Sequence, residues 1–239
     1  MGTSWSIIIF LYNEQGNVER AILGVEEVLS QLAPNNFEII IINDGSTDNS
    51  HQIIQNTIQN KEHFKYYRQE NNLGIGKALR KGYELAQNEN VCAVPGDCQF
   101  NFKELLLCPS FGERQFVSFY RRRTYYNPYR MFLNHFNRAV NYFLLGLKMN
   151  DVNWIKVYKK KQLEEIDFQL TSSLIESEIC AKLFAQRIPC IEIESEYLDR
   201  LEDEAKGGSL KTVKQAAGDL WKLIHITRKY KAKLHAAKN

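Results

Sequence analysis

Runs that are apolar but for Ser6 and Glu38 fill residues 6–11 and the FEIIII of residues 37–42, lengths that suit strands. The second run has no polar face, so both sides of that strand need cover, as in a parallel sheet. Between them Val18, Ile22, Val25, Leu29 and Leu32 recur at helical spacing and stop ahead of Pro34. The alternation continues with a helix opening at Ser46 or Thr47 and carrying Ile53, Ile54 and Ile58, then a short strand at 65–68. A helix introduced by Asn72, Gly74 and Gly76 bears Ala78, Leu79, Tyr83 and Ala86, and it leads into a fourth strand that breaks at Pro95 and Gly96. Strands separated by crossover helices predict a doubly wound α/β sheet.

Past Gln99 the pattern loosens. Residues 102–107 read as a short helix, 115–119 as a strand, and 121–130 as a basic, aromatic loop. Residues 131–147 hold Met131, Phe132, Phe136, Val140, Phe143, Leu144 and Leu147, more apolar than a helix with one solvated face needs. That segment suits an interfacial helix on a bilayer, core packing or a homodimer contact. A strand at 152–158, a helix at 174–185 and a strand at 188–193 follow. Gly207 and Gly208 then precede a long amphipathic helix. The expected division is a domain over 1–205, with a nucleotide-binding half to about residue 100 and an acceptor half after it, and a basic helical extension over 206–239.

Charge sharpens this picture only at the end of the chain. The net charge of +3 does not by itself call for a nucleic-acid partner. From residue 206 onward, however, nine Lys and Arg stand against one acid, Asp219, a balance that would draw the helix to anionic lipid. Five cysteines without paired spacing suggest neither a disulfide framework nor a zinc site, and a reducing cytosol is the expected home.

The candidate chemistry lies just beyond three strands. Tyr12, Asn13 and Glu14 follow the first, Asn43 and Asp44 the second, and Asp97 and Gln99 the fourth. Ligands in open α/β sheets gather outside the carboxyl ends of strands, so these side chains would share one edge. There they would suit a nucleotide whose base and ribose need acceptors and whose diphosphate needs a hard cation. A plain alternative is that Asp97 caps a helix beginning near Asn101. The glycines at 74 and 76 match neither a Walker A loop, which needs Ser or Thr after Lys77, nor GxGxxG, where Leu79 stands in the third glycine's place. They read instead as a tight helix entry.

YNE at residues 12–14, NDGSTDNS at 43–50, NLGIGKALRKG at 72–82 and GDCQ at 96–99 together resemble the family 2 inverting glycosyltransferases of GT-A fold, most of all the dolichol- or polyprenol-phosphate sugar synthase branch. The resemblance implies a Rossmann-like, mostly parallel sheet flanked by helices, with a C-terminal amphipathic helix. It implies Mg²⁺ or Mn²⁺ as cofactor, a UDP- or GDP-linked sugar as donor, and a lipid-phosphate or glycan acceptor; the apolar segment and the basic tail add the cytoplasmic face of a membrane as an alternative to the open cytosol.

By the same resemblance Tyr12, Glu14 and Asp44 contact base and ribose, with Gly45 and Lys77 also at the nucleotide. Asp97, the final acid of the family's DxD motif, and Gln99 lie at the metal, and Asp97 counts among the catalytic residues. Arg121, with Arg122 or Arg123 as alternatives in the same run, Arg130 and Arg200 fall near positions that hold phosphate charge, where the planar guanidinium binds bidentately, and Arg121 counts among the catalytic residues. Asn134 falls where a relative carries Ser. Glu176 and Glu178 are the candidate bases for a hydroxyl acceptor, Glu178 at the position relatives use, although helix capping explains it equally well. A phosphate acceptor is already anionic and needs no base.

Two departures from the pattern stand out. Pro95 replaces the first acid of DxD, so the cation would lean on diphosphate and water. This also admits a catalytically silent domain that only binds a nucleotide or a partner. Phe10 stands where relatives often have Pro, which leaves the nucleobase open.

Overall fold

The computed structural model describes residues 3–122, 141–199 and 210–236, without the side chains of 210–217. Its strands are β1 (Ser4–Leu11), β2 (Asn36–Asn43), β3 (Phe64–Arg68), β4 (Asn90–Pro95), β5 (Phe116–Arg121), β6 (Lys156–Lys159) and β7 (Cys190–Ser195). Its helices are α1 (Val18–Leu32), α2 (Ser50–Ile58), α3 (Ile75–Leu85), α4 (Lys160–Glu164), α5 (Ile175–Ala185) and α6 (Leu210–Ala236), with a 3₁₀ turn at Phe102–Leu107 and a π turn at Asn141–Leu145. The strands form one sheet in the order β3-β2-β1-β4-β6-β5-β7. β6 runs against both neighbours, and the other pairings are parallel. The α/β, mostly parallel sheet read from the sequence is therefore present, with one reversed strand.

The two-sided apolar runs find cover on both faces. Ile8, Ile40, Ile42 and Ala93 face a core built with α3, α5 and α6. Their neighbours Ile7, Ile9, Ile39, Ile41 and Val94 face a second core with α1 and the 3₁₀ turn. This period-two division is what a strand buried on both sides demands.

Among the differences from the sequence reading, three have a local reason. α2 begins at Ser50, because Ser46 and Thr47 spend their hydrogen bonds on Asn43 and Asn13. β6 begins at Lys156, since the carbonyls of Val152 and Trp154 accept from the Lys156 ammonium at 2.5 and 2.8 Å. Asp97 caps nothing at residue 101; Asn101 caps the 3₁₀ turn itself, accepting from the Lys103 amide at 3.2 Å.

The C-terminal helix is fastened to the rest of the chain. Leu223 is fully buried, Gln186 Nε2 donates to the Tyr230 hydroxyl at 2.6 Å, and the Lys182 ammonium lies 5.4 Å from the Tyr230 ring centre. Among the described residues no helix is long and apolar enough to cross a membrane. Arg130, Asn134, Arg200, the 205/206 division and the segment 131–140 lie outside the described residues.

Candidate active site

Strand register brings the candidate loops together. β1 pairs Leu11 with Asn43 of β2 and Phe10 with Pro95 of β4. The ladders then run one step past the strands, with the Asp44 amide donating to Leu11 at 2.8 Å and the Gly96 amide to Phe10 at 2.9 Å. Tyr12–Glu14, Asn43–Asp44 and Asp97–Gln99 consequently leave one sheet edge side by side, as their placement after three strands predicts. β5 and β7 point the same way as β4, and β6 enters from that edge, so Arg121, Asp151, Trp154 and Tyr197 stand there too.

The first two loops are joined almost atom by atom. The Asn13 amide donates to Ser46 Oγ at 2.9 Å and the Glu14 amide to Ser50 Oγ at 3.0 Å. In return the Thr47 amide donates to Asn13 Oδ1 at 2.8 Å and the Asn49 amide to Gln15 Oε1 at 3.1 Å. Asn13 adopts φ 53°, a left-handed conformation that Asn tolerates. Glu14 is nearly buried and accepts from Asn17 Nδ2 at 2.9 Å. Tyr12, half-buried, stands at the entry of the same loop. Asn43 Nδ2 donates to the Tyr66 hydroxyl at 3.0 Å, and Tyr66 in turn meets His51 Nδ1 at 2.8 Å, so the floor of the loop is also fixed.

Asp44 fastens a third loop. Its carboxylate accepts from the Leu73 amide at 2.9 Å, the Gly74 amide at 2.8 Å and Gln69 Nε2 at 2.8 Å. Burial pushes its pKa above the ordinary 3.8, while the two amides and the nearby Lys77 charge pull it down. Gly45 sits at φ 72°, and a Cβ there would lie 2.4 Å from the Asn71 carbonyl carbon. Only glycine fits on both counts. Lys77 is exposed on the first turn of α3, beside these loops.

The donor set at the cation position is short. Asp97 Oδ1 accepts from the Gln99 amide at 3.1 Å, and Gln99 Nε2 donates to the Tyr197 hydroxyl at 2.5 Å. Among the described residues no group of three or more His, Cys, Asp or Glu could hold a metal alone. A carboxylate and an amide oxygen are nonetheless hard donors that fit Mg²⁺ or Mn²⁺, with the remaining positions left to ligand and water.

Arg121 lies at the expected edge, in a wall of its own. Its Nε and Nη2 donate to Asp151 at 2.7 and 3.3 Å, and its guanidinium sits 4.9 Å from the Trp154 ring centre and 5.8 Å from that of Tyr197. Its charge is balanced inside the protein by Asp151.

The expectation that Glu178 acts as a base needs correction. It is fully buried, ion-paired with the equally buried Lys182 at 2.5 Å, and accepts from the Leu170 amide at 2.8 Å. It anchors the chain ahead of α5. Glu176 is committed as well, accepting from the hydroxyls of Tyr83 and Tyr158. The wall residues Asp151, Trp154 and Tyr197 escaped the sequence reading; the only signal was an aromatic and an acid ahead of a short strand.

Known proteins agree with this architecture. The model of "Glycosyl transferase family 2" matches residues 6–169, well over half of the chain. An uncharacterized glycosyltransferase of Synechocystis, sll0501, is 34% identical over 94 residues, covering 39% of this chain and 29% of that protein. The poly-beta-1,6-N-acetyl-D-glucosamine synthase of Staphylococcus epidermidis is 38% identical over 92 residues, 38% of this chain and 21% of that protein. These alignments span less than a third of the relatives' own length. In structure, the chain resembles glucosyl-3-phosphoglycerate synthase from Mycobacterium tuberculosis, solved with Mn²⁺ and UDP-glucose, at a TM-score of 0.66 and 13% identity, covering 94% of this chain and 80% of that one. The fold is thus the GT-A fold. With the family model spanning all three post-strand loops, the chain belongs to glycosyl transferase family 2.

Proposed function

We propose that this chain moves a sugar from a nucleoside-diphosphate sugar to a polyprenol-phosphate or glycan acceptor, with inversion at the anomeric carbon and with Mg²⁺ or Mn²⁺. The observation that carries the reading is the shared edge, where the loops of Glu14 and Asp44 are pinned to each other and the Asp97 loop leaves the next strand beside them, its Gly96 amide donating to Phe10. Loops already ordered spend little binding energy on ordering when the nucleotide arrives. In this reading Tyr12, Glu14 and Asp44 face the nucleoside, with Gly45 letting the backbone approach and Lys77 beside the phosphates. Asp97 and Gln99 would hold the cation, which when bound offsets charge developing on the departing diphosphate. The solved relative from Mycobacterium tuberculosis holds UDP-glucose with Mn²⁺, which makes UDP-linked sugars the first donors to try.

The buried, committed state of Glu176 and Glu178 favours a phosphate acceptor, since neither carboxylate is placed to take a hydroxyl proton. The wall of Arg121, joined by Arg130 and Arg200 if the resemblance holds there, would meet the acceptor's charge. Exposed Tyr142, Phe143 and Leu144, together with the basic face of α6, favour peripheral contact at a membrane's cytoplasmic face. The first hundred residues would then serve the donor and residues 101–205 the acceptor.

A second reading, a silent nucleotide-binding domain, rests on Pro95 in the place of the first DxD acid. Turnover separates the two. The proposal expects Mn²⁺-dependent transfer or hydrolysis of a UDP- or GDP-sugar that falls about 100- to 1,000-fold in Asp97→Ala. Nucleotide binding without turnover on phosphate or glycan acceptors would establish the silent domain instead.

A further inference from the structure

The Gln99 side chain has a direction as well as a position. A primary amide has one accepting end and one donating end, so only Oε1 can face a cation, and Nε2 must then find an acceptor elsewhere. Tyr197 supplies that acceptor, its hydroxyl oxygen lying 2.5 Å from Gln99 Nε2 although the two residues are 98 positions apart.

Tyr197 is itself held on several sides. Its backbone bridges to Phe100, and the next amide, that of Leu198, donates to the Gln99 carbonyl at 3.0 Å. Its ring centre is 5.5 Å from that of Trp154, and the Arg121 guanidinium lies over it at 5.8 Å. Trp154 is fixed in turn by its Nε1 donating to Ser195 Oγ at 3.0 Å.

We infer that Tyr197 is a positioning residue that presents the Gln99 oxygen to the divalent cation. The inference rests on the proposed role of Asp97 and Gln99. Its weight in this chain comes from Pro95: with the first DxD acid gone, one of the two remaining protein donors is a neutral amide that works in one orientation only. Turned over, it would aim an NH₂ group at the cation. A carboxylate in that place would have no wrong face. Partners of this kind, which orient a ligand without touching the metal, typically govern metal affinity by about 10- to 100-fold.

The test uses the full chain and reads UDP binding by calorimetry with and without Mn²⁺. The ratio of the two affinities is the metal's contribution. Tyr197→Phe removes the hydroxyl and keeps the ring. It is expected to cut that ratio about tenfold and to leave the metal-free UDP affinity unchanged, which also reports an intact fold. In a Gln99→Glu background, where the two oxygens are equivalent, the same Tyr197→Phe change is expected to cost less than about twofold. An unchanged ratio in Tyr197→Phe, or an equal loss in both backgrounds, overturns the inference and leaves the proposed function standing. Wild-type protein that binds neither UDP nor GDP, with or without Mn²⁺, overturns the reading of the site itself and the inference with it.

Discussion

The loops after β1 and β2 and the wall of Arg121, Asp151, Trp154 and Tyr197 share one sheet edge but are held together by different means. The loops are bound by backbone amides donating to short side chains, as between Asn13 and Ser46 or Glu14 and Ser50, at 2.9 and 3.0 Å. Such bonds leave little freedom, because one partner is the main chain and the other has a single rotatable bond or two. The wall is built from long side chains meeting one another, an arginine paired with an acid and stacked on two aromatic rings. Each of those groups gives up rotamers to be held there, and its partners are other side chains, so the wall is fixed without direct use of the main chain. On the proposed reading the donor side is fixed through the main chain and the acceptor side through side chains, so the two can be perturbed separately.

The same contrast explains what could be read from the chain. The donor loops lie within contiguous motifs, and the residues that lock them, Asn13, Ser46, Thr47 and Ser50, belong to those motifs. Strand ends and motif spacing therefore place Glu14, Asp44 and Asp97 correctly at one edge. The partners of the wall are scattered: Arg121 and Asp151 are 30 positions apart, and Gln99 and Tyr197 are 98. No period or local motif links them, since only the reversal of β6 and the return of β7 bring them together. Glu178 misled for a related reason. An acid in the first turn of a helix looks available, and nothing local announces that Lys182 and the Leu170 amide enclose it.

The largest effect is expected beneath the acceptor side. Glu178→Ala leaves the Lys182 ammonium buried without its carboxylate and frees the amides at 169 and 170. Loss of one member of such a pair costs about 3–5 kcal/mol, read as a lower urea midpoint. If Glu178→Ala instead kept its stability and lost only transfer, the carboxylate would be a base after all.

Next comes the donor side. Gly45→Ala forces a left-handed alanine at about 1–2 kcal/mol and sets its Cβ against Asn71. UDP affinity should fall with stability, because the loop that Asp44 fastens must move. A variant that binds UDP as tightly as wild type would show that the donor loops are less rigid than their hydrogen bonds suggest.

A smaller change is expected in the wall. Asp151→Asn keeps the shape but removes a charge and one acceptor, because its NH₂ cannot accept from Arg121; one of the two charge-assisted bonds is lost and the other weakened, at about 1.5 kcal/mol in all. With the guanidinium released, the KM for an anionic acceptor should shift while the KM for the donor stays put. Equal shifts in both would mean that wall and loops act as one unit.

The smallest effect tests whether the donor side's firmness extends to the opposite end of its strands. Glu38, at the start of β2, pairs with Lys65 at 2.6 Å and accepts from Ser6 Oγ at 2.6 Å and the Gln87 amide at 2.7 Å. Burial alone would raise its pKa, but these donors outweigh it and the carboxyl lies below its ordinary 4.5. A carboxyl lowered by folding stabilises the native state fully above the unfolded value and loses that contribution as pH falls through the folded one. Wild type should therefore exceed Glu38→Gln in stability at neutral pH, with the gap closing as pH drops below 4.5. A gap that persists into acid would mean that Glu38 acts through shape and not charge, and the firmness of the donor side would then belong to its loops alone.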